Sequence, residues 1–182
     1  FDMNKIIGIL GMQGAIAEHQ EILLQIPHTK TRIVKTAKDL DCIDGLILPG
    51  GESTAIGKLL DYFSLKEILR QKIISGLPVF GTCAGLILLA KNIENQTNTH
   101  LETMDITVKR NGYGSQLDSF STNLLIPTID KNMPIPLVFI RAPYITKTDK
   151  DVQILATLDN KIIKKRKKNM LVSSFHPELT CD

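Results

Sequence analysis

The most reactive group in this chain is a thiol set in a tight glycine frame. Val79-Phe80-Gly81-Thr82-Cys83-Ala84-Gly85-Leu86 passes from an apolar stretch into a helical one, with Cys83 at the junction. A nucleophile in a Gly-x-Cys-x-Gly frame, between a buried strand and a helix, is the thiol form of a nucleophile elbow. Such a turn needs small neighbours, which Gly81, Ala84 and Gly85 supply. It pushes the side chain out at the carboxyl end of the strand. A helix N-terminus also favours a thiolate over a thiol. The backbone N–H of Ala84 is expected to point where an oxyanion forms, and losing such a donor typically costs about 3 kcal/mol of transition-state stabilisation. The competing reading, an inert buried thiol, suits Cys42.

A thiol nucleophile needs a base. The chain has four His, and His19, His28 and His100 fall in helix or loop surroundings without a telling partner. His176 differs, because it closes a strand as Ser173-Ser174-Phe175-His176-Pro177-Glu178. In extended chain, residues i and i+2 point to the same side. Pro177 biases His176 toward extended conformations. Glu178 can then hold one imidazole nitrogen and leave the other for Cys83, which is the nucleophile–base–orienter arrangement. No His pair has metal-ligand spacing and no C-x-x-C occurs, so no metal site is expected.

Pro49-Gly50-Gly51-Glu52-Ser53 follows another apolar run and opens a helix. Adjacent glycines let backbone N–H groups approach a ligand. A phosphate cradle is one reading, but the Lys-Ser/Thr of a P-loop is missing and the spacing does not fit G-x-G-x-x-G. A second oxyanion donor with contacts to a small polar substrate fits better.

The elements that must position these groups follow from short apolar runs alternating with amphipathic ones. Strands are predicted over Lys5–Leu10, Thr31–Lys35, Gly45–Leu48 and Leu77–Phe80. Helices are predicted over Ala15–Gln25, with Ile16, Leu23 and Leu24 on one face, and over Ala55–Leu60, capped by Ser53 and Thr54. Two more follow over Leu65–Ile74 and Ala84–Ala90. This alternation implies an α/β fold, a mostly parallel sheet with helices on both faces. After about Asn92 the pattern becomes strand-rich: Met104–Lys109, Phe120–Ile126, Leu137–Ile140, Val152–Leu158, Lys161–Lys164 and Met170–Ser174. Added antiparallel strands are expected in this C-terminal half.

The 182 residues suit a single domain spanning 1–182. Lys plus Arg is 22 against Asp plus Glu 19, a net charge of +3 that is too weak to argue for nucleic acid. The run Lys164-Lys165-Arg166-Lys167-Lys168 lacks aromatic stacking partners in a chain without Trp, so it reads as a solvated hairpin turn. Three Cys give no disulfide framework, and a reducing compartment is the natural reading. No apolar region follows a basic start at the N-terminus, and no apolar run reaches membrane length. A cytoplasmic location is expected, with no membrane association.

Taken together, Gly81-Thr82-Cys83-Ala84-Gly85 and Phe175-His176-Pro177-Glu178 resemble the elbow and the His-x-Glu segment of class I, triad-type glutamine amidotransferases. Within that group the chain is most similar to the glutaminase subunits of pyridoxal 5'-phosphate synthases. That similarity rests on Leu10-Gly11-Met12-Gln13-Gly14, Leu48-Pro49-Gly50-Gly51-Glu52-Ser53-Thr54, Arg110-Asn111-Gly112-Tyr113-Gly114-Ser115-Gln116, Ile140-Arg141-Ala142-Pro143 and Ser174-Phe175-His176-Pro177-Glu178-Leu179-Thr180, in that order along nearly the whole chain.

The resemblance implies a three-layer, flavodoxin-like architecture and a catalytic set of Cys83, His176 and Glu178. It implies backbone oxyanion donors at Gly51 and Ala84, and glutamine contacts from Gly51, Glu52, Ser53, Arg110, Ile140 and Arg141. A planar Arg fork is well suited to an α-carboxylate. The loop at Gln13-Gly14 is implied to lie near the site, where partner binding organises the oxyanion hole. Ammonia is implied to pass to a separate synthase subunit in a large hetero-oligomer, and no cofactor is implied for this chain. Two departures stand out. Many members carry Arg where this chain has Ser115, and relatives usually continue into a terminal helix beyond the position that corresponds to Asp182. Two other readings remain at this level: a glutaminase serving another acceptor, such as imidazole-glycerol-phosphate synthesis, and a non-enzymatic thiol-bearing module.

Overall fold

The computed structural model describes residues 4–110, 120–124, 135–139, 143–148, 153–158, 161–167 and 169–175. The N-terminal half holds β1 (Lys5–Leu10), α1 (Ile16–Leu24), β2 (Thr29–Val34), a 3-10 turn (Ala37–Leu40), β3 (Gly45–Leu48), α2 (Ser53–Tyr62), α3 (Lys66–Ile74), β4 (Val79–Thr82) and α4 (Ala84–Leu89). Among the described residues, the elements that follow are strands: β5 (Ala90–Ile93), β6 (Met104–Lys109), β7 (Phe120–Leu124), β8 (Ile135–Phe139), β9 (Tyr144–Thr148), β10 (Gln153–Leu158), β11 (Lys161–Lys167) and β12 (Met170–Ser173).

The main sheet has the order β2-β1-β3-β4-β12-β11-β9-β6-β5, with β10 also paired to β11. Its first five strands are mutually parallel. The order 2-1-3-4, extended by β12, is the flavodoxin-like doubly wound pattern. β2 lies on one side of β1 while β3 and β4 lie on the other. Right-handed crossovers therefore place α1 on one face of the sheet and α2 and α3 on the opposite face. Beyond β12 the pairing turns antiparallel through β11, β9 and β6. β7 and β8 form a separate antiparallel pair. The expected fold, parallel core plus antiparallel C-terminal additions, is the fold observed.

The core lies between the parallel strands and the helices, with Leu10, Leu48, Ile56, Leu60, Leu69, Ile73 and Leu86 fully buried. Each contributes about 1.5–3 kcal/mol of burial free energy. β3 is buried along its whole length, as a strand covered on both faces must be. Among the described residues, no helix is long and apolar enough to cross a membrane.

Several local expectations are corrected. β4 begins two residues later than its apolar run suggests and carries Gly81 and Thr82 straight into Cys83. Pairing of Gly81 and Thr82 with Val172 and Ser173 of β12 extends the strand past its apolar residues. The cap of α2 is Glu52 rather than Ser53 or Thr54, because its carboxylate accepts from the amides of Thr54 (3.1 Å) and Ala55 (2.6 Å). Leu24 on α1 is 58% exposed, and the buried residue of that helix is His19. Residues 164–167 of the basic run belong to β11, paired with β12, instead of forming a hairpin turn. Cys42 is exposed with φ 60°, on the turn after the 3-10 segment, and is not a buried thiol. β5 and β9 leave no clear mark in the sequence pattern, since each has few apolar residues and is defined by its pairing with β6.

Candidate active site

In a parallel sheet, the loops after each strand gather at one edge, and ligands bind there. In this chain that edge carries the segment after β1 (Gln13-Gly14), the turn after β3 (Gly50-Gly51-Glu52), Cys83 after β4, and the segment after β12. Thr82 pairs with Ser173, so the strand leading toward His176 ends beside the residue before Cys83.

Cys83 has φ 50° and ψ −103°, a conformation outside the allowed wells for a side chain with a Cβ. Holding it costs on the order of 1–3 kcal/mol, which the surroundings must supply. They do so from several directions. The Cys83 amide donates to the Ser173 carbonyl at 2.8 Å, and the Cys83 carbonyl accepts from the Leu86 amide at 3.1 Å. On the α4 face, a Cβ at Gly81 would sit 2.7 Å from the Gly85 carbonyl, and a Cβ at Gly85 would overlap the Leu48 carbonyl oxygen. Helix α4 therefore seats directly on the ends of β3 and β4, which explains both glycines of the frame. Cys83 is 7% exposed. Ala84 is the first residue of α4, where a backbone N–H has no intrahelical acceptor.

The glycine turn is clasped by the segment after β1. Ala15 N–H donates to the Gly50 carbonyl at 2.9 Å, and Glu52 N–H donates to Gln13 Oε1 at 2.8 Å. The clasp is close: Gly14 has φ 111°, a Cβ on it would overlap the Gly50 carbonyl, and a Cβ on Gly51 would meet Gln13 Oε1 at 2.5 Å. Gln13, Gly14 and Gly51 are thus in mutual contact.

Arg110 and Glu52 are brought together from opposite halves of the chain. Arg110 Nη2 lies 3.0 Å from Glu52 Oε1, and its Nη1 donates to Thr54 Oγ1 at 3.2 Å and Gln96 Oε1 at 3.5 Å. Burial works against the Glu52 carboxylate, but the amides of Ala55 and Thr54, the Thr54 hydroxyl and the Arg110 charge outweigh it. They hold its pKa below the usual carboxylate range. Ser53 is buried at the start of α2. Gln96 was not singled out in the sequence, and nothing in its polar surroundings marks it as an Arg partner. Thr54 and Gln96 also line a polar groove of about 600 Å³ together with Lys58, Asp61 and His100. The His100 ring covers Gly57, and burial, then the charges of Lys66 and Arg110, lower its pKa.

His176, Glu178, Ile140, Arg141 and Ser115 lie outside the described residues. Among the rest, the structure gathers Cys83, Ala84, Gly51, Gln13 and Gly14 on the ends of adjacent parallel strands. It pairs Glu52 with Arg110 beside them.

A doubly wound α/β sheet with a cysteine elbow at its carboxyl edge is the architecture of class I amidotransferases. The chain belongs to the SNO glutamine amidotransferase family, whose model matches residues 9–182. The pyridoxal 5'-phosphate synthase subunit PdxT of Ruminiclostridium cellulolyticum is 52% identical over 178 residues, covering 98% of this chain and 94% of that protein. The subunit of the same name from Carboxydothermus hydrogenoformans is 54% identical over 176 residues, covering 97% and 91%. A crystal structure of a glutamine amidotransferase superposes with a TM-score of 0.88 at 38% identity, covering 97% of this chain and 92% of that one. PurLQS from Thermotoga maritima, 15% identical with a TM-score of 0.72 over 99% of this chain and 90% of that one, shares the fold.

Proposed function

We propose that this chain hydrolyses L-glutamine to L-glutamate and ammonia, and that it supplies the ammonia to the synthase subunit of a pyridoxal 5'-phosphate synthase. Residues 1–182 act as one amidotransferase domain on this reading, and a cytoplasmic setting fits it. The observation that carries it is the Cys83 elbow: a cysteine at φ 50° between β4 and α4, with the clasped Gly51 turn on the neighbouring strand end.

In this reading the Cys83 sulfur attacks the side-chain carboxamide carbon. Charge develops on the carbonyl oxygen, where the backbone N–H groups of Ala84 and Gly51 receive it. His176, oriented by Glu178, takes the thiol proton and gives it to the departing nitrogen, which leaves as ammonia. The bond that breaks is the carboxamide C–N bond, and a thioester remains. Water, deprotonated by His176, then attacks the thioester, releasing glutamate and restoring the thiol. The Arg110 guanidinium suits the α-carboxylate of glutamine and the Glu52 carboxylate suits its α-ammonium. Gly51, Ser53, Ile140 and Arg141 complete the contacts.

The synthase partner is favoured over other acceptors because the relatives at 52% and 54% identity carry the name of that synthase's subunit. Glutamate and ammonia release from glutamine, measured with and without the synthase subunit, tests the reading. Cys83→Ala is expected to abolish both products, and full activity in that variant would overturn it.

A further inference from the structure

The sheet separates two parts of the site. Gly81 faces α4, so Thr82, the next residue of β4, faces the opposite side, toward α1. There, Nε2 of His19 lies 3.3 Å from Thr82 Oγ1. Both residues are buried, at 6% and 0% exposure. Either ring tautomer serves this contact, since the hydroxyl both donates and accepts.

His19 is one helical turn from the clasp on the glycine turn. Its own amide donates to the Ala15 carbonyl at 3.4 Å, and the Ala15 amide donates to the Gly50 carbonyl at 2.9 Å. A continuous path therefore runs from the Gly50-Gly51 turn, through Ala15 and His19, to Thr82 and the strained backbone of Cys83. At its other end the turn is held by Gln13 through Glu52 N–H. The two ends of this path are the proposed nucleophile and one of the proposed oxyanion donors. They lie on different strands, and the path links them through a helix on the face away from α4.

We propose that His19 is a positioning residue, which through Thr82 holds the Cys83 elbow in register with the Gln13–Gly51 clasp. The inference rests on the glutaminase reading above. A polar bridge suits this task better than apolar contact, because a hydrogen bond fixes both distance and direction. It also explains why α1 buries a histidine while leaving Leu24 in solvent. Displacement of the Gln13-Gly14 segment is felt at Thr82 by the same route.

The test compares Thr82→Val, Thr82→Ser, His19→Gln and His19→Ala in the full chain. Glutamine hydrolysis is measured with the synthase subunit present, alongside melting temperature and the rate of Cys83 labelling by a glutamine-shaped electrophile. Thr82→Val keeps the shape and removes the hydroxyl, so kcat and labelling should fall by about tenfold to a hundredfold, the usual effect of ångström-scale misplacement. KM should stay near the wild-type value. Thr82→Ser and His19→Gln retain a partner at the same place and should recover most of the rate. In the double variant Thr82→Val/His19→Ala, the loss should be no greater than in the slower single variant. Wild-type kcat in folded Thr82→Val, or losses that multiply in the double variant, would overturn the proposal. A rate loss fully accounted for by a smaller folded fraction would do the same. Cys83→Ala separates the two levels: if it stays active the glutaminase reading fails, whereas an inactive Cys83→Ala beside a fully active Thr82→Val refutes only the role of His19.

Discussion

Replacing Glu52 by Ala tests structure and recognition at one position. The side chain caps α2 through the amides of Thr54 and Ala55 and pairs with Arg110. Loss of an N-cap costs about 1 kcal/mol, within a range of about 0.5–2. The ion pair is 49% exposed on the Glu side and 37% on the Arg side, so solvent screening limits it to a few tenths of a kcal/mol. The sum is about 1–2 kcal/mol, which lowers the melting temperature by about 3–6 °C in a chain of this size.

The pH dependence has a definite sign. The Glu52 pKa lies below its ordinary value of 4.5. Its contribution is therefore complete above that value and is lost as pH falls through the lowered native pKa. The gap in melting temperature between wild type and Glu52→Ala should be widest at neutral pH and close in acid. On the proposed reading, the substrate ammonium loses its counter-charge in the glutaminase assay, and Arg110 loses its Glu52 partner. A charge-assisted hydrogen bond is worth about 1.5–3 kcal/mol, so KM should rise by about tenfold to a hundredfold, with a smaller effect on kcat. Calorimetry across pH and steady-state kinetics with the synthase subunit read both effects. An unchanged melting temperature at neutral pH would refute the capping argument, as would a gap that persists undiminished in acid. An unchanged KM would refute the pairing with substrate.

Gly85→Ala places a methyl group against the Leu48 carbonyl and 2.9 Å from Leu48 Cβ. α4 must lift from β3, which costs about 1–3 kcal/mol. Urea titration should show that loss, and Cys83 labelling should slow; wild-type values in both would show that the elbow tolerates bulk. For His100 the native pKa is below its ordinary 6.5, so the unfolded chain binds the proton first as pH falls. Wild-type stability should decline as pH drops below about 6.5 toward the lowered native value. His100→Gln should flatten that part of the curve, and a curve of identical shape in the variant would refute the assignment.

Much of this molecule was written locally. The apolar runs of β1, β3 and β6 lie within the pattern of single segments, and the structure reproduces their limits. The Gly-x-Cys-x-Gly frame also declared itself, because a strained turn between strand and helix requires small residues at fixed spacing. What segments cannot declare is which of them become neighbours. Glu52 outcompeted Ser53 and Thr54 as cap because its longer carboxylate reaches two amides and meets Arg110, a residue distant in sequence. The basic run was legible only as charge, and its pairing with β12 made it strand. His19 reads in the sequence as one polar residue on a helix, and only the folded chain brings its ring within 3.3 Å of the Thr82 hydroxyl at the end of β4. The sequence by itself determined the glycine frame around Cys83 and the α/β class, since both depend on short-range sterics and periodicity. Only the tertiary structure decided which residues brace that frame, since contacts such as His19–Thr82 and Glu52–Arg110 exist only once distant strand ends share one edge.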